Sequence, residues 1–222
     1  KEINSVFADL APAIDFETKG QLPRTILDKL QAKLAARLFI DVAANRILEG
    51  ASPFTDELKG ISAGTGLAIL LRNYGLAFRP EKGRGSPVDY RVEVVDEMFI
   101  GESTLGRPEK PDPKAKYWPI GWEAEKSPGE LAPSLHESLS AEIDGYSLEE
   151  AIAAIEPRLK LPLFKDHVAL TAAKIEPARL QVKLARAKLS YKRLLDRVLA
   201  QAHLGASLRI DESGKPFIWV TK

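Results

Sequence analysis

The chain has 222 residues, 45% apolar and 28% charged, which describes a globular protein of one large domain or two small ones. A formal net charge of +1 gives no bulk field to draw nucleic acid or an acidic membrane. The absence of cysteine excludes disulfides, redox thiols and thiolate zinc sites, and no run of 18 apolar residues or export leader is present. Position 1 is Lys, so the chain reads as trimmed or excised from something longer.

In chain order, the first expected element is a strand near Ala13–Phe16. A helix follows with Ile26, Leu27, Leu30 and Leu34 on one face, then a strand at Leu38–Ile40. Beyond it come a strand near Phe54 and a helix from about Ser62 to Tyr74. Strands near Leu76–Arg79 and Val88–Val95 close the first half. Ser62 is the expected N-cap of the helix, because a serine hydroxyl can accept from a first-turn amide. Gly64 and Gly66 lie in that first turn and weaken it by about 1 kcal/mol each, which predicts a frayed or close-packed start. Residues 96–133 hold six of the fifteen prolines, together with Tyr117-Trp118-Pro119-Ile120-Gly121-Trp122. This stretch reads as a connector pinned by its tryptophans.

A strand at Glu142–Asp144 opens the second half. Its first helix buries Leu148, Ala151, Ile152, Ile155 and Leu159, and Pro157 is expected to end or kink it. A strand at Leu161–Phe164 follows, with Pro162 suited to a sheet edge. Asp166 and Asp41 are both read as N-caps. Val182–Leu184 is strand-like. From Leu189 to Ala202 a helical stripe runs through Tyr191, Leu194, Leu195, Val198 and Leu199. Two strands, Ala206–Ile210 and Phe217–Val220, are joined by Asp211-Glu212-Ser213-Gly214-Lys215, a tight turn with glycine at its disposal.

The two halves resemble each other. Ser5–Leu10 and Ile14-Asp15 match Ser134–Leu139 and Ile143-Asp144 at a shift of 129. Lys33–Asp41 matches Arg158–Asp166 at a shift of 125. Ile61, Leu67, Leu70 and Leu71 match Leu189, Leu195, Val198 and Leu199 at 128, and Phe78-Arg79 matches Leu208-Arg209 at 130. Four matches in order predict a duplicated α+β module, with domains at 5–95 and 134–222 flanking the 96–133 connector. Each copy is expected to be βαβ-βαββ-like, with two helices packed on short sheets.

That pattern resembles the secretin and TonB N-terminal short domain family. The closest stretch holds Leu38-Phe39-Ile40-Asp41, Leu48-Glu49-Gly50, Gly60-Ile61-Ser62, Gly64-Thr65-Gly66-Leu67 and Tyr74-Gly75-Leu76-Ala77-Phe78-Arg79. The Gly-Thr-Gly-Leu sits inside the helix register instead of after it, and the second half has lost most of these glycines. The resemblance implies a module of bacterial envelope proteins that contacts partner proteins at the periplasmic side, with no catalytic residues to carry over.

The residues themselves offer little chemistry. His136, His167 and His203 show no metal-ligand spacing, and no nucleophile elbow or phosphate-binding loop occurs. No catalytic, cofactor or metal residue is therefore assigned. Residues 142–222 carry fourteen basic and ten acidic side chains, net +4, with Lys183, Arg186, Lys188, Lys192, Arg193 and Arg197 around the last helix. No two glycines stand three apart, as the phosphate clamp of a KH domain requires. The reading is a non-enzymatic protein-interaction module of the periplasm or cell envelope, with Trp118, Trp122, Lys188, Lys192 and Arg193 as candidate partner contacts. The two tryptophans fit an internal packing role better than that of an exposed anchor. The alternatives are an enzyme acting on an envelope polymer at the domain junction, and a nucleic-acid binder.

Overall fold

The computed structural model describes residues 2–82, 88–95 and 116–222, with side chains from residue 4 onward. It is an α+β chain that divides into two compact units. The first comprises Lys1–Trp122 together with Asp211–Lys215, and the second comprises Glu123–Ile210 and Pro216–Lys222. Of the expected connector, residues 96–115 lie outside the described residues. Trp118 and Trp122 belong to the first unit, and Glu123–Pro133 to the second.

In the first unit the elements are α1 (Glu2–Leu10), α2 (Pro23–Gln31), β1 (Leu38–Ile40), α3 (Val42–Glu49), α4 (Ala63–Arg72), β2 (Leu76–Glu81) and β3 (Asp89–Val94). The sheet order is β1-β3-β2, with β1 parallel and β2 antiparallel to β3. Ala63 to Leu71 of α4 are all buried, so this helix is the centre of the unit and not an amphipathic cover. Asp9 ties α1 down: its carboxylate accepts from the amides of Ala35 and Ala36 and from the Tyr90 hydroxyl, at 2.7, 3.2 and 2.7 Å. Burial, and then the neighbouring Asp9, push the Tyr90 phenol up.

Several local expectations are corrected in this unit. The strand near Ala13–Phe16 is reduced to a single bridge between Ala13 and Ser62, and Phe54 lies in no strand. The partner segment cannot stay extended, because Leu58 to Ile61 turns tightly with Gly60 at φ +90°. Among the described residues of this unit four helices form where two were expected, α1 and α3 being the additions. Asp41 does not cap α3; its carboxylate pairs with Arg91 at 3.0 Å.

The second unit contains β4 (Trp122–Glu123), shared with the chain's entry into it, then α5 (Pro128–Leu131) and a short 3-10 turn at Pro133–His136. β5 (Ser138–Ser147), α6 (Leu148–Leu159), β6 (Leu163–Lys165), α7 (His167–Ala172), β7 (Gln181–Ser190), α8 (Tyr191–Ala200), β8 (Gly205–Ile210) and β9 (Pro216–Thr221) follow. One sheet runs β4-β8-β9-β6, and β5 and β7 form a separate antiparallel pair. Helices α6 and α8 share a core with both sheets, built on Leu148, Ile152, Leu195, Val198 and Leu199 with Val182, Leu189, Ile218 and Val220.

Here β5-α6-β6 and β7-α8-β8-β9 follow the expected order, with α5 and α7 as additions to the two expected helices, β5 and β7 longer than expected and Leu189 placed in β7, one residue before the helix cap. Pro157 does not end α6. Its nitrogen has no hydrogen to bond the carbonyl four residues back, on the exposed residue Ala153. Ser147 and Glu150 form a capping box at the start of α6, and Asp166 caps α7 by accepting from the Ala169 amide at 3.1 Å. Ser190 accepts from the Arg193 amide at 3.3 Å to start α8. Ser190→Ala is expected to destabilise the second unit by about 1 kcal/mol in urea unfolding.

The two units have part of their strand pairing in common. In each, a short strand runs parallel to the last strand, which pairs antiparallel with the one before it. The amide after the short strand is bonded to the equivalent carbonyl, Asp41 to Val92 and Asp166 to Val220. The amide opening the central helix is bonded likewise, Ala63 to Pro12 and Tyr191 to Glu137. With those bonds as the register, Phe78 stands opposite Ala206 rather than Leu208, and Ile14 opposite Leu139 rather than Ile143.

Candidate partner-binding groove

In β5, Leu139, Ala141 and Ile143 turn inward while Ser138, Ser140, Glu142 and Asp144 face out, the period of two that a half-covered strand requires. Among the described residues it pairs with β7 and with no other strand, so its second edge carries unpaired backbone groups. Beside that edge runs a groove of about 450 Å³, within the range of ligand-sized sites. Leu139, Ser140, Glu142, Ile143 and Tyr146 form its strand wall. Ala151, Ala154, Ile155 and Arg158 supply the helix wall, at the i, i+3, i+4, i+7 spacing of one face of α6. Tyr191 and Leu194 of α8 complete it. The two alanines leave room where larger side chains would fill the space. The β5–β7 register shifts between Ala141 and Ile143 and again before Tyr146, and Gly145 takes φ +77°. Such irregularities bend a strand and re-aim its side chains, and Tyr146 is left 53% exposed.

At β7 the edge is treated differently. The Gln201 side chain accepts from the Lys183 amide and donates to the Lys183 carbonyl, both at 3.0 Å, as a neighbouring strand would. An amide placed there blocks edge pairing locally, which leaves β5 as the open edge of the pair.

The candidate contacts read from the sequence fall in two separate units. Trp118 and Trp122 are buried in the first, where Phe7 lies 5.2 and 5.0 Å from their rings and Phe78 stacks on Trp118 at 6.0 Å. Their surroundings are those of core residues. Lys188 is exposed on β7 directly across from Ser140 and does not line the groove. Lys192 is half-buried, paired with Asp196 at 2.7 Å, and lines a smaller hollow of about 190 Å³ with Leu195 and Leu208. Arg193 is exposed on α8. In the sequence, Ile143, Tyr146 and Arg158 carry no mark of a binding site beyond an alanine-rich flank on an otherwise Leu/Ile helix.

A second polar cluster, also missed, lies in the first unit at the start of α4. Asp211 is fully buried and accepts from the Ser62 amide at 2.9 Å, while its other oxygen takes the amides of Ser213 and Lys215. Glu212 accepts from Trp118 Nε1 at 2.6 Å and from the Thr65 hydroxyl at 2.8 Å. Thus Ser62 is not the cap its position suggested: its hydroxyl accepts from Ser213, and the carboxylates of the 211–215 turn satisfy the helix start. Burial pushes Glu212 up to about 7 against the pull of those donors. Both of its oxygens are engaged, so the cluster acts as a helix cap. Among the described residues no three His, Asp or Glu converge as a metal site.

Compared with family models, with curated proteins and with solved structures, the chain finds no match.

Proposed function

We propose that this chain is a non-enzymatic protein-interaction module that takes an extended partner segment by strand addition along β5. The observation that carries the reading is the contrast between the two edges of the β5–β7 pair. One is blocked at Lys183 by Gln201, and the other is open beside an apolar groove. Strand addition uses main-chain bonds for affinity and side-chain pockets for selectivity, and this edge offers both. The βαβ-βαββ order of the second unit supports kinship with the secretin and TonB short N-terminal domains, and through it a place in the bacterial cell envelope. The shared strand arrangement and the paired backbone bonds of the two units support descent from one duplicated module. Among the described residues the first unit has one bridge, Ala13 to Ser62, at the place of the β5–β7 pair, which favours the second unit as the binding one.

Site-specific photo-crosslinking tests this. A crosslinking residue at Ser140 is expected to give a discrete protein adduct with an envelope fraction, while one at exposed Arg179 gives none. Equal adducts at both positions, or adducts only with soluble proteins, would overturn the proposal.

A further inference from the structure

We infer that the segment taken by the β5 groove is acidic as well as apolar, with its negative residue seated at the Ser140 end beside Arg158. The inference rests on the strand-addition reading and adds the partner's chemistry. β5 leads directly into α6, so the two walls diverge from the Ser147–Leu148 junction, and Tyr146 and Ala151 mark the near end. The far end therefore holds Leu139, Ser140 and Arg158, with Lys188 directly across from Ser140 on β7. Among the described residues Arg158 and Glu142 have no ion-pair partner, so each presents its full charge to whatever lies in the groove.

Arg158 thus stands at the Ser140 end, and Glu142 stands two residues further along the strand. A complementary segment carries an acidic residue at the first place and a neutral or basic one at the second, with apolar side chains between. From Leu139 to Ile143 the strand spans about 13 Å, so the recognised core is about five residues long.

The probe is a pair of labelled valine-rich peptides with a single charged residue at one end of the core, glutamate in one and lysine in the other, followed by fluorescence polarisation with the whole chain. Two exposed positions supply the variants, Arg158→Glu and Ala154→Trp, the latter placing an indole in the groove. The expected result is about tenfold tighter binding of the glutamate peptide at low salt, a preference reversed by R158E and lost in high salt. A154W is expected to abolish binding of both. If the peptides bind alike and R158E changes nothing while A154W still abolishes binding, the acidic preference is overturned and the groove stands. If neither peptide binds, or A154W has no effect, the groove reading falls and the inference with it.

Discussion

Alanine at position 64 is expected to destabilise the first unit by about 3 kcal/mol, although alanine is the better helix former. On an open helix face the exchange of glycine for alanine gains about 1 kcal/mol. Here a β-carbon on Gly64 would stand 2.3 Å from Glu212 Oε1 and 2.9 Å from the β-carbon of Leu10. A β-carbon moves only with its backbone, so α1 or α4 must shift. The carboxylate must also leave the Thr65 and Trp118 donors that hold it. Gly66 provides the comparison inside the same helix. Its added β-carbon meets Ile14 Cδ1 at 2.4 Å, the end of a side chain that can rotate away. Gly66→Ala is expected to cost about 1 kcal/mol or less. Urea unfolding with peptide-resolved hydrogen exchange over residues 58–75 checks the order. Equal costs at the two positions, or a stabilised Gly64→Ala, would show that close packing is not why glycine stands there.

The part of the fold legible from sequence is the part fixed by local periodicity. The α8 stripe from Tyr191 to Leu199 and the α6 stripe from Leu148 to Leu159 came through, because each was already one apolar face. β1 came through as Leu38–Ile40. What was not legible depended on distant partners. Ser62 looked like a cap because a serine before a helix usually is one, but the groups that satisfy the helix start lie 149 residues away. Asp41 met Arg91 across a sheet that no local pattern announces. Gly64 and Gly66 were read as a weakness or a close approach, and only the neighbours decide for the second. The groove was hidden for a related reason. Ala151 and Ala154 read as ordinary helix formers, and the space they leave becomes a site only once β5 is laid beside them with an edge unpaired. The tryptophans were legible as anchors because side chains of that size seldom stay in water.

Lowering the pH from 8 to 5 is expected to stabilise the protein by on the order of 3 kcal/mol through Glu212 alone. The carboxyl has an ordinary value of 4.5 in the unfolded chain and is raised by burial to about 7 in the fold. Between those values the native state holds a proton that the unfolded state has released, so stability falls as the pH rises. The contribution is complete below 4.5 and gone above about 7. Other carboxylates act in the opposite direction and in a lower window. Hydrogen bonds from the Ser147 backbone and hydroxyl hold Glu150 below the usual range. For Glu57, burial opposes a similar effect from the Lys59 and Thr18 donors, and the donors prevail. Stability from these groups is present above 4.5 and is lost on further acidification. The two opposing trends place the stability maximum between about 4.5 and 6. Glu212→Gln keeps an acceptor for Trp118 without a charge to bury, so its stability should be flat from pH 5 to 8 where the parent's falls. Trp118 reports the same event, since its indole nitrogen donates to Glu212, and its fluorescence should titrate near pH 7 in the parent and not in E212Q. A parent whose unfolding midpoint is unchanged between pH 5 and 8 would mean that the 211–215 turn holds an ionised carboxylate throughout.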